Sequence, residues 1–401
     1  MEIAINEDKK KKMIITRIRK ELVEVLEKQE KPVKLEGFTT EELDEILFDY
    51  EEEERIKKRF ALPADILRKI DMSNVSFDNF CAYHVNFSGM TGVKIDPNKL
   101  YKKSCWGTVF EGVTFLNKFT AGHIEECNFA GSHNAVIGGN SIIGNDITLG
   151  VRNVFKDVTF GSPIMKGNIV GSDFTGSKGA VIELGSDWVD DIGDCRLKDT
   201  TLQGSFANCL IYGAEFSGAK AADGGKVKID PNKIATTKIF GSEFKNLQGC
   251  NFEGVEFTAA FAPYNNFMIK KANFEGSEGA VLYPDAVFEK DYSFTKLTGV
   301  KFADGSLITK SQLEGTNFTG SEGAVISGPQ KSIALANLKD VAIEFDDPKE
   351  ILSIPGIESA GYGDRPWAFS DIFREKIAVE FDEPVKVFMK KINDSVGNAN
   401  K

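Results

Sequence analysis

The sequence of 401 residues predicts a mainly β fold of the solenoid type, and three observations lead to this prediction. A motif represented by NFTGSEGAVI at 317–326 recurs along the chain, at intervals of 42 to 58 residues. Large apolar residues return every five positions between its copies, and three blocks share the same one-residue slip in that spacing. Self-similarity at a fixed period is typical of solenoid and array proteins.

The recurring motif joins a phenylalanine, a turn of small residues and an aliphatic residue. One of the six copies, Phe216/Ile229, has five additional residues, for which AADGG at 221–225 accounts. The other five copies have a spacing of eight: Phe87/Ile95, Phe129/Ile137, Phe174/Ile182, Phe274/Leu282 and Phe318/Ile326. Glycine could bring backbone N–H groups to a phosphate, but no copy has the Gly-Lys-Ser/Thr ending of a phosphate loop. The motif is therefore predicted to be a turn between coils, with glycine supplying backbone freedom.

Between the motif copies, large apolar residues recur every five positions. Reading back from one anchor gives Phe119, Ile124 and Phe129. The step shortens to four at the same place in three blocks, namely Phe115 to Phe119, Phe160 to Ile164 and Leu202 to Phe206. A period of five suits neither an α-helix nor a regular strand. It is expected of a chain that turns a corner every five residues, with one large and one small residue inward and a polar residue between them outward.

Units such as Cys127-Asn128-Phe129 and Cys250-Asn251-Phe252 place a small residue, an asparagine and a phenylalanine in sequence. Over roughly residues 71–345 the chain thereby resembles the pentapeptide-repeat family. The segments VKIDPNKL at 93–100 and VKIDPNKI at 227–234 look like a recurring variant of it. The resemblance implies a right-handed quadrilateral β-helix with four pentapeptides, about twenty residues, in each coil. The predicted core anchors are Phe87, Phe115, Phe129, Phe160, Phe174, Leu202, Phe216, Phe252, Phe274 and Phe318.

Segments without the repeat flank it, so three regions are predicted: 1–70, 71–345 and 346–401. The first is interpreted as a helical N-terminal cap or interaction module. Helical spacing there predicts one helix with the apolar stripe Ile14, Ile18, Leu22 and Val25, and a second with the stripe Leu43, Ile46 and Leu47. The charged run at 51–59 is predicted to be a solvated helical face. The last region contains 370–381 and 383–396, predicted helices that either cover the last coil or form a homodimer contact.

The residue types that carry catalysis and metal binding are few and scattered. His84, His123 and His133 have no partners at ligand spacing, and the six cysteines include no CxxC pair. Adjacent carboxylates such as Asp190-Asp191 and Asp346-Asp347 usually diverge and are predicted to lie in solvated turns. Cys127, Cys195, Cys209 and Cys250 occupy the small inward positions, where burial makes a thiol unreactive. The sequence thus predicts no catalytic, cofactor-binding or metal site and no enzyme.

One stretch supports a rival interpretation. IGGNSIIGNDITLG at 137–150 has apolar-Gly pairs six residues apart, which resembles the hexapeptide repeat of left-handed β-helix acyltransferases. Those enzymes need many such turns and a catalytic histidine, whereas this pattern covers only one short stretch without a histidine. An acyltransferase-like enzyme is therefore an unfavoured alternative.

The charge balance bears on the class of partner. A net charge of −11 argues against non-specific binding to nucleic acid and against attraction to an anionic membrane surface. No apolar run reaches the ~20 residues of a membrane span, and the N-terminus lacks a secretory signal, so a cytoplasmic location is expected. The favoured interpretation is a non-enzymatic scaffold that presents an acidic rod to another protein. The alternative implied by the resemblance is a DNA-mimicking modulator of DNA gyrase, although lysines at outward positions interrupt the acidic surface.

Overall fold

The structure is a computed structural model that describes residues 7–50, 58–120, 122–138, 141–144, 153–161, 164, 169–184, 191–239, 242–344 and 354–360. Its chain divides into two compact units, 1–209 with 214–227 and 210–213 with 228–401. Each unit contains a stack of β-coils, in agreement with the mainly β solenoid that the sequence predicts. The predicted helices at 370–381 and 383–396, and the homodimer contact assigned to them, lie outside the described residues.

The N-terminal part of the first unit is helical. It comprises α1 (Glu7–Leu26), β1 (Val33–Lys34), α2 (Thr40–Leu47), β2 (Phe48–Tyr50), β3 (Lys58–Phe60), α3 (Ala64–Leu67) and β4 (Ile70–Asp71). A capping box starts α2, because the Thr39 hydroxyl accepts from the Glu42 N–H and the Glu42 carboxylate accepts from the Thr39 N–H. The stripe predicted for α2 is buried, with Leu43, Ile46 and Leu47 at most 5% exposed.

One expectation for this part is wrong. Lys58 and Arg59 lie in β3, which pairs antiparallel with β2, and not on a helical face; residues 51–57 lie outside the described residues. The reason is that the Lys58 ammonium is buried against the Asp44 carboxylate, while Phe60 stacks on Phe48 at 5.4 Å between ring centroids. The helix predicted from the apolar stripe of α1 is present, and most of that stripe is exposed to solvent.

The strands of the coils are short, as expected of a chain that turns a corner every few residues. The first group is β5 (Ala82–Tyr83), β6 (Lys94–Ile95), β7 (Cys105–Trp106), β8 (Thr114–Phe115), β9 (Gly122–Glu125), β10 (Val136–Ile137), β11 (Ser141–Gly144), β12 (Thr159–Phe160), β13 (Ala180–Leu184), β14 (Thr200–Gly204) and β15 (Lys220–Ala221). The second group is β16 (Val227–Ile229), β17 (Thr237–Ile239), β18 (Ser242–Asn246), β19 (Val255–Phe257), β20 (Phe267–Met268), β21 (Val281–Leu282), β22 (Lys301–Phe302), β23 (Leu307–Ile308), β24 (Val325–Ser327) and β25 (Ala342–Glu344). Short 3₁₀ turns occur at Met72–Asn74, Pro97–Lys99, Tyr101–Lys103, Pro263–Asn265, Pro284–Ala286, Phe288–Lys290 and Ile357–Ser359.

The length of a coil follows from the parallel pairing of successive outward residues. In the first unit this ladder joins Asn86, Val109, Asn128, Val154, Asp173, Arg196 and Glu215. Its steps alternate between long and short, since Asn86 and Val109 are separated by 23 positions and Val109 and Asn128 by 19. Two coils therefore make one block, which explains the block lengths of 42 and 45 residues in the sequence.

The recurring motif is the wider turn that makes alternate coils longer. Thr114 pairs with His133 and Thr159 pairs with Val136, so two positions three residues apart in one motif serve the two neighbouring coils. Asn134 between them has φ +59°, and its counterpart Gly179 has φ +65°. This left-handed turn adds residues on one side of the coil without disturbing the ladder on the others.

The core of each unit is filled by the large inward residues. In the first unit the rings of Phe87, Phe110, Phe129, Phe155 and Phe174 stack through successive coils, with neighbouring centroids 5.0 to 6.0 Å apart and interplanar angles of 12° to 27°. In the second unit Phe252 packs on Phe274 at 5.1 Å. Every core anchor chosen from the sequence is buried, between 0% exposed for Phe87 and 6% for Phe160.

Candidate interaction surface

In three copies of the recurring turn, a backbone N–H group that could have cradled a phosphate is bonded within the solenoid. Gly131 and Gly176 donate their N–H groups to the carboxylates of Asp157 and Asp199, each at 3.0 Å. In the second unit Gly320 donates in the same way to Asp340 at 2.8 Å. A carboxylate from a neighbouring coil thus accepts the hydrogen bond that a bound phosphate would accept, and these three turns have a structural role.

The thiols are buried in the interior. None of the six cysteines forms a disulfide, and none is more than 1% exposed. The thiols of Cys195 and Cys250 donate to the backbone carbonyls of Ile169 and Ile211, at 2.9 and 2.8 Å. Burial raises the pKa of the Cys195 thiol above its ordinary value of 9.0. The pKa of the Cys105 thiol is also raised, mainly by burial and secondly by a hydrogen bond with Cys127. A thiolate nucleophile is disfavoured at these positions.

We expect the native protein to show no fast thiol reaction with Ellman's reagent at pH 8, and the denatured protein to react at all six cysteines. The physical reason is that the reagent needs an accessible thiolate, and burial denies both access and ionisation. The same shift makes the free energy of unfolding fall as pH rises above 9, because the unfolded thiols lose protons there and the folded thiol of Cys195 keeps its proton. Urea melts at pH values from 8 upward measure this slope. Fast labelling of the native protein would contradict the prediction.

The histidines do not form a catalytic group. His123 and His133 are exposed, as the sequence predicts, and exposed His84 lies 4.7 Å from the Trp106 ring. Within the described ranges no cluster of three or more His, Cys, Asp or Glu residues has the arrangement of a metal site. The hexapeptide-like stretch contributes β11, which pairs parallel with β9; its residues 145–150 lie outside the described part of the chain.

The outward ladders mix charged and neutral residues. In the first unit, Asp173 is followed by Arg196, whose guanidinium lies 3.0 Å from the Asp173 carboxylate, and then by Glu215. In the second unit the corresponding ladder joins Asn251, Asn273, Lys296, Asn317 and Asn337. Neither ladder is a continuous acidic stripe.

A corner of the second unit carries unusual backbone geometry, and we call it the left-handed corner. It consists of Lys271, Phe294, Gly315 and Leu335, which have φ values of +61°, +56°, +62° and +58° in successive coils. The N–H of Phe294 donates to the carbonyl of Glu314 at 2.7 Å, and the N–H of Gly315 donates to that of Ala334 at 2.8 Å. These bonds join each coil to the next and hold the corner in register.

Two large apolar side chains project from the left-handed corner. Phe294 is 47% exposed and Leu335 is 64% exposed. A Cβ on Gly315 would lie 2.5 Å from the Phe294 ring, so the ring rests on the glycine between these two residues. Left-handed backbone costs an ordinary residue roughly 1–2 kcal/mol, and a bulky side chain there is an outlier. A strained and exposed phenylalanine, with an exposed leucine two coils away on the same corner, is a candidate contact surface.

The first unit has a related corner with a more polar surface. His84 and Glu126 have φ +54°, and Gly107 lies between them with φ +57°. The His84 ring covers Gly107, where a Cβ would lie 2.3 Å from its Nδ1. The indole N–H of Trp106 donates to the Glu126 carboxylate at 2.9 Å. A corner with left-handed backbone in successive coils therefore occurs in both units, but it carries different side chains in each.

Comparisons with known proteins give matches among solved structures only. No protein-family model matches the chain, and no curated protein matches it. The pentapeptide-repeat protein HetL from the cyanobacterium Nostoc sp. strain PCC 7120, involved in heterocyst differentiation regulation, matches at 10% identity and a TM-score of 0.21, over 70% of this chain and 91% of HetL. A trypsin-treated form of QnrB1, a plasmid-mediated fluoroquinolone resistance protein, matches at 13% identity and a TM-score of 0.11, over 69% of this chain and 98% of that chain.

At these TM-scores the fold assignment depends on the coil geometry of the chain itself. The chain has coils of about twenty residues, with one large inward side chain per five residues. These two features define a pentapeptide-repeat β-helix. The chain has the pentapeptide-repeat fold. In a pentapeptide-repeat solenoid the interior is occupied by side chains, so the outward faces and corners are the surfaces available to a partner. No helix in the described ranges is both long and apolar enough to cross a membrane.

Proposed function

We propose that this protein is a non-enzymatic scaffold that binds another protein at the left-handed corner of its second unit. The observation that carries the proposal is the pair of exposed apolar side chains, Phe294 and Leu335, held in left-handed backbone. Aromatic residues dominate binding energy at protein interfaces, particularly where neighbouring groups exclude water. The unidentified partner is expected to present an apolar pocket that accepts the Phe294 ring. A cytoplasmic location remains part of this proposal.

The variant Phe294→Asn separates binding from folding. Asparagine tolerates left-handed backbone, so the substitution removes strain of roughly 1–2 kcal/mol. It also removes a half-buried ring, whose packing contributes on the order of 1 kcal/mol. The two changes offset each other, and we expect the free energy of unfolding to stay within about 1 kcal/mol of the wild-type value. A loss of binding in this variant would then report on the surface.

The test is a quantitative pull-down with photo-crosslinking from the native host, comparing wild type with Phe294→Asn and Leu335→Asn. The expected result is a protein whose recovery falls at least tenfold in both variants, followed by direct titration of that purified protein. Leu307→Asn is the matched control, because Leu307 lies in β23 of the same unit and is 44% exposed. Equal recovery with all variants, or equal losses with the control, would contradict the assignment of the binding surface.

The gyrase alternative is implied by the pentapeptide-repeat resemblance and is compatible with the net charge of −11, but the mixed charges of the outward ladders give it no support. A DNA mimic is expected to place acidic groups along one face. A supercoiling assay with rising protein and fixed relaxed plasmid tests this alternative directly. Inhibition that excess DNA relieves would favour it over the scaffold proposal, and no effect at tens of micromolar would remove it.

A further inference from the structure

The orientation of α1 is fixed by polar contacts with α2, of which Arg19 makes the most, while Lys11 pairs with the Glu45 carboxylate. Arg19 donates from Nε to the carbonyl of Ile46 at 2.9 Å, and from Nη2 to the carbonyls of Glu45 and Phe48 at 2.8 and 2.7 Å. Its Nη1 pairs with the Asp49 carboxylate at 2.6 Å. These carbonyls lie at the C-terminal end of α2, where a cation is favoured. The face of α1 that carries Arg19 and buried Leu26 therefore packs toward α2 and its surroundings.

This orientation turns a second face of α1 to solvent. Ile14, Ile18 and Val25 are 59%, 39% and 57% exposed. At 100° per residue these three side chains fall within about 40° of arc, so they form one stripe, whereas Met13 projects well to one side of it. Ile14 and Ile18 also line a groove with Phe38, which is itself 46% exposed. A contiguous exposed apolar stripe indicates a contact with another molecule.

The charges along α1 indicate what that molecule is. Glu7 and Asp8 begin α1, positions 9–20 hold seven basic residues and no acid, and positions 21–26 hold two glutamates. Two more glutamates and one lysine follow just beyond the helix, at positions 27–30. A helix that lies antiparallel to a copy of itself brings each basic half beside the acidic half of the other helix. A parallel arrangement would place the two basic halves together. Antiparallel helices also oppose their dipoles favourably.

We propose that α1 forms an antiparallel helix pair with α1 of a second copy of this chain, closed by a two-fold axis. The stripe of Ile14, Ile18 and Val25 is the apolar seam, and the spacing of 4 and 7 residues between these three positions is that of a helix–helix seam. Such an isologous contact uses the same patch on both copies and ends at the dimer. This inference is independent of the proposed partner at the left-handed corner.

The contact is small, which sets its expected strength. Three partly exposed aliphatic side chains per copy bury less than the ~1,200 Å² of a standard stable interface. We therefore expect a dissociation constant on the order of micromolar or weaker. Because the charges are exposed, the constant is expected to rise several-fold between about 50 and 500 mM salt.

The first test is sedimentation equilibrium of the full chain at rising concentration. We expect a reversible monomer–dimer equilibrium, and a dissociation constant at least tenfold higher for Ile18→Asp. Met13→Asp is the matched control, since Met13 is 63% exposed on the same helix but lies off the stripe. Circular dichroism and thermal melts establish that both variants fold. A monomer at several hundred micromolar, or a dimer that Ile18→Asp leaves intact, would overturn the proposal.

The second test is disulfide crosslinking, which reports the orientation. All six native cysteines are buried, so cysteines introduced on α1 are the reactive ones. Ile14→Cys and Val25→Cys chains are mixed and oxidised, and the products are separated by mass. The antiparallel pair predicts an excess of the mixed 14–25 crosslink over the 14–14 and 25–25 crosslinks. An excess of the two symmetric products would indicate a parallel pair and overturn the proposal.

Discussion

Replacing Phe129 with alanine is expected to lower the free energy of unfolding by about 3–5 kcal/mol. The ring is fully buried between two neighbouring coils, at 5.0 Å from Phe110 and 6.0 Å from Phe155. Phe115 and Phe119 also contact it at 5.9 and 5.8 Å. Since stacked coils relax little around a missing ring, a cavity is left inside the stack. Urea denaturation followed by tryptophan fluorescence and circular dichroism measures the change.

Leu116→Ala is the control for this substitution. Leu116 directly follows the anchor Phe115 but is 57% exposed, so its truncation is expected to cost less than about 1 kcal/mol. Equal losses for Phe129→Ala and Leu116→Ala would show that burial in the stack does not set the stability of the first unit.

Replacing Gly204 with alanine is expected to destabilise the first unit by roughly 2–4 kcal/mol, although only one methyl group is added. Gly204 ends β14 with φ +89°, opposite Leu184 in β13. The new Cβ would lie 2.1 Å from the Leu184 carbonyl oxygen, which is backbone and cannot rotate away. The adjacent strands must therefore separate and lose part of their hydrogen bonding. Thermal melts and amide hydrogen exchange at β13 and β14 are the measurements.

Gly224→Ala is the matched comparison, because Gly224 has φ +81° in the same unit but nothing within 4 Å of the point where the added methyl group would lie. Only the backbone strain of about 1 kcal/mol is expected there. If both substitutions cost the same, the close approach of β13 and β14 would have no energetic weight.

The period of five and the motif spacing are sufficient to predict coils, because an inward residue every fifth position leaves few other folds. The same pattern does not single out Phe110 and Phe155, which stack directly on Phe129 and are fully buried. A signal for them exists, since each precedes a chosen anchor by five residues, at Phe115 and Phe160. The preceding residues Val109 and Val154 are apolar where the pattern expects a polar residue, and this hides the two five-residue repeats that contain Phe110 and Phe155.

The candidate surfaces could not be predicted from the sequence, for two physical reasons. The left-handed geometry of Phe294 and Leu335 arises from hydrogen bonds between coils, which no local propensity reports, and these residues resemble core positions in sequence. The stripe of α1 is recognisable from its spacing, but periodicity does not decide whether it is buried. Arg19 reaches the end of α2 through three backbone carbonyls and leaves a second face of α1 exposed. Long-range polar contacts thus decide what hydrophobic patterning leaves open.

The alternation of long and short coils also has an evolutionary consequence. The wider turn already accommodates three additional residues, from His133 to Val136, while the neighbouring coils stay paired through Thr114 and Thr159. Codons can therefore be gained or lost at this corner without inward side chains moving to the outside. The five additional residues AADGG lie in this turn, which is closed by a bond from the Ala221 N–H to the Gly225 carbonyl at 3.0 Å. New loops, and with them new specificities, can be acquired at these corners while the stacked core is inherited unchanged.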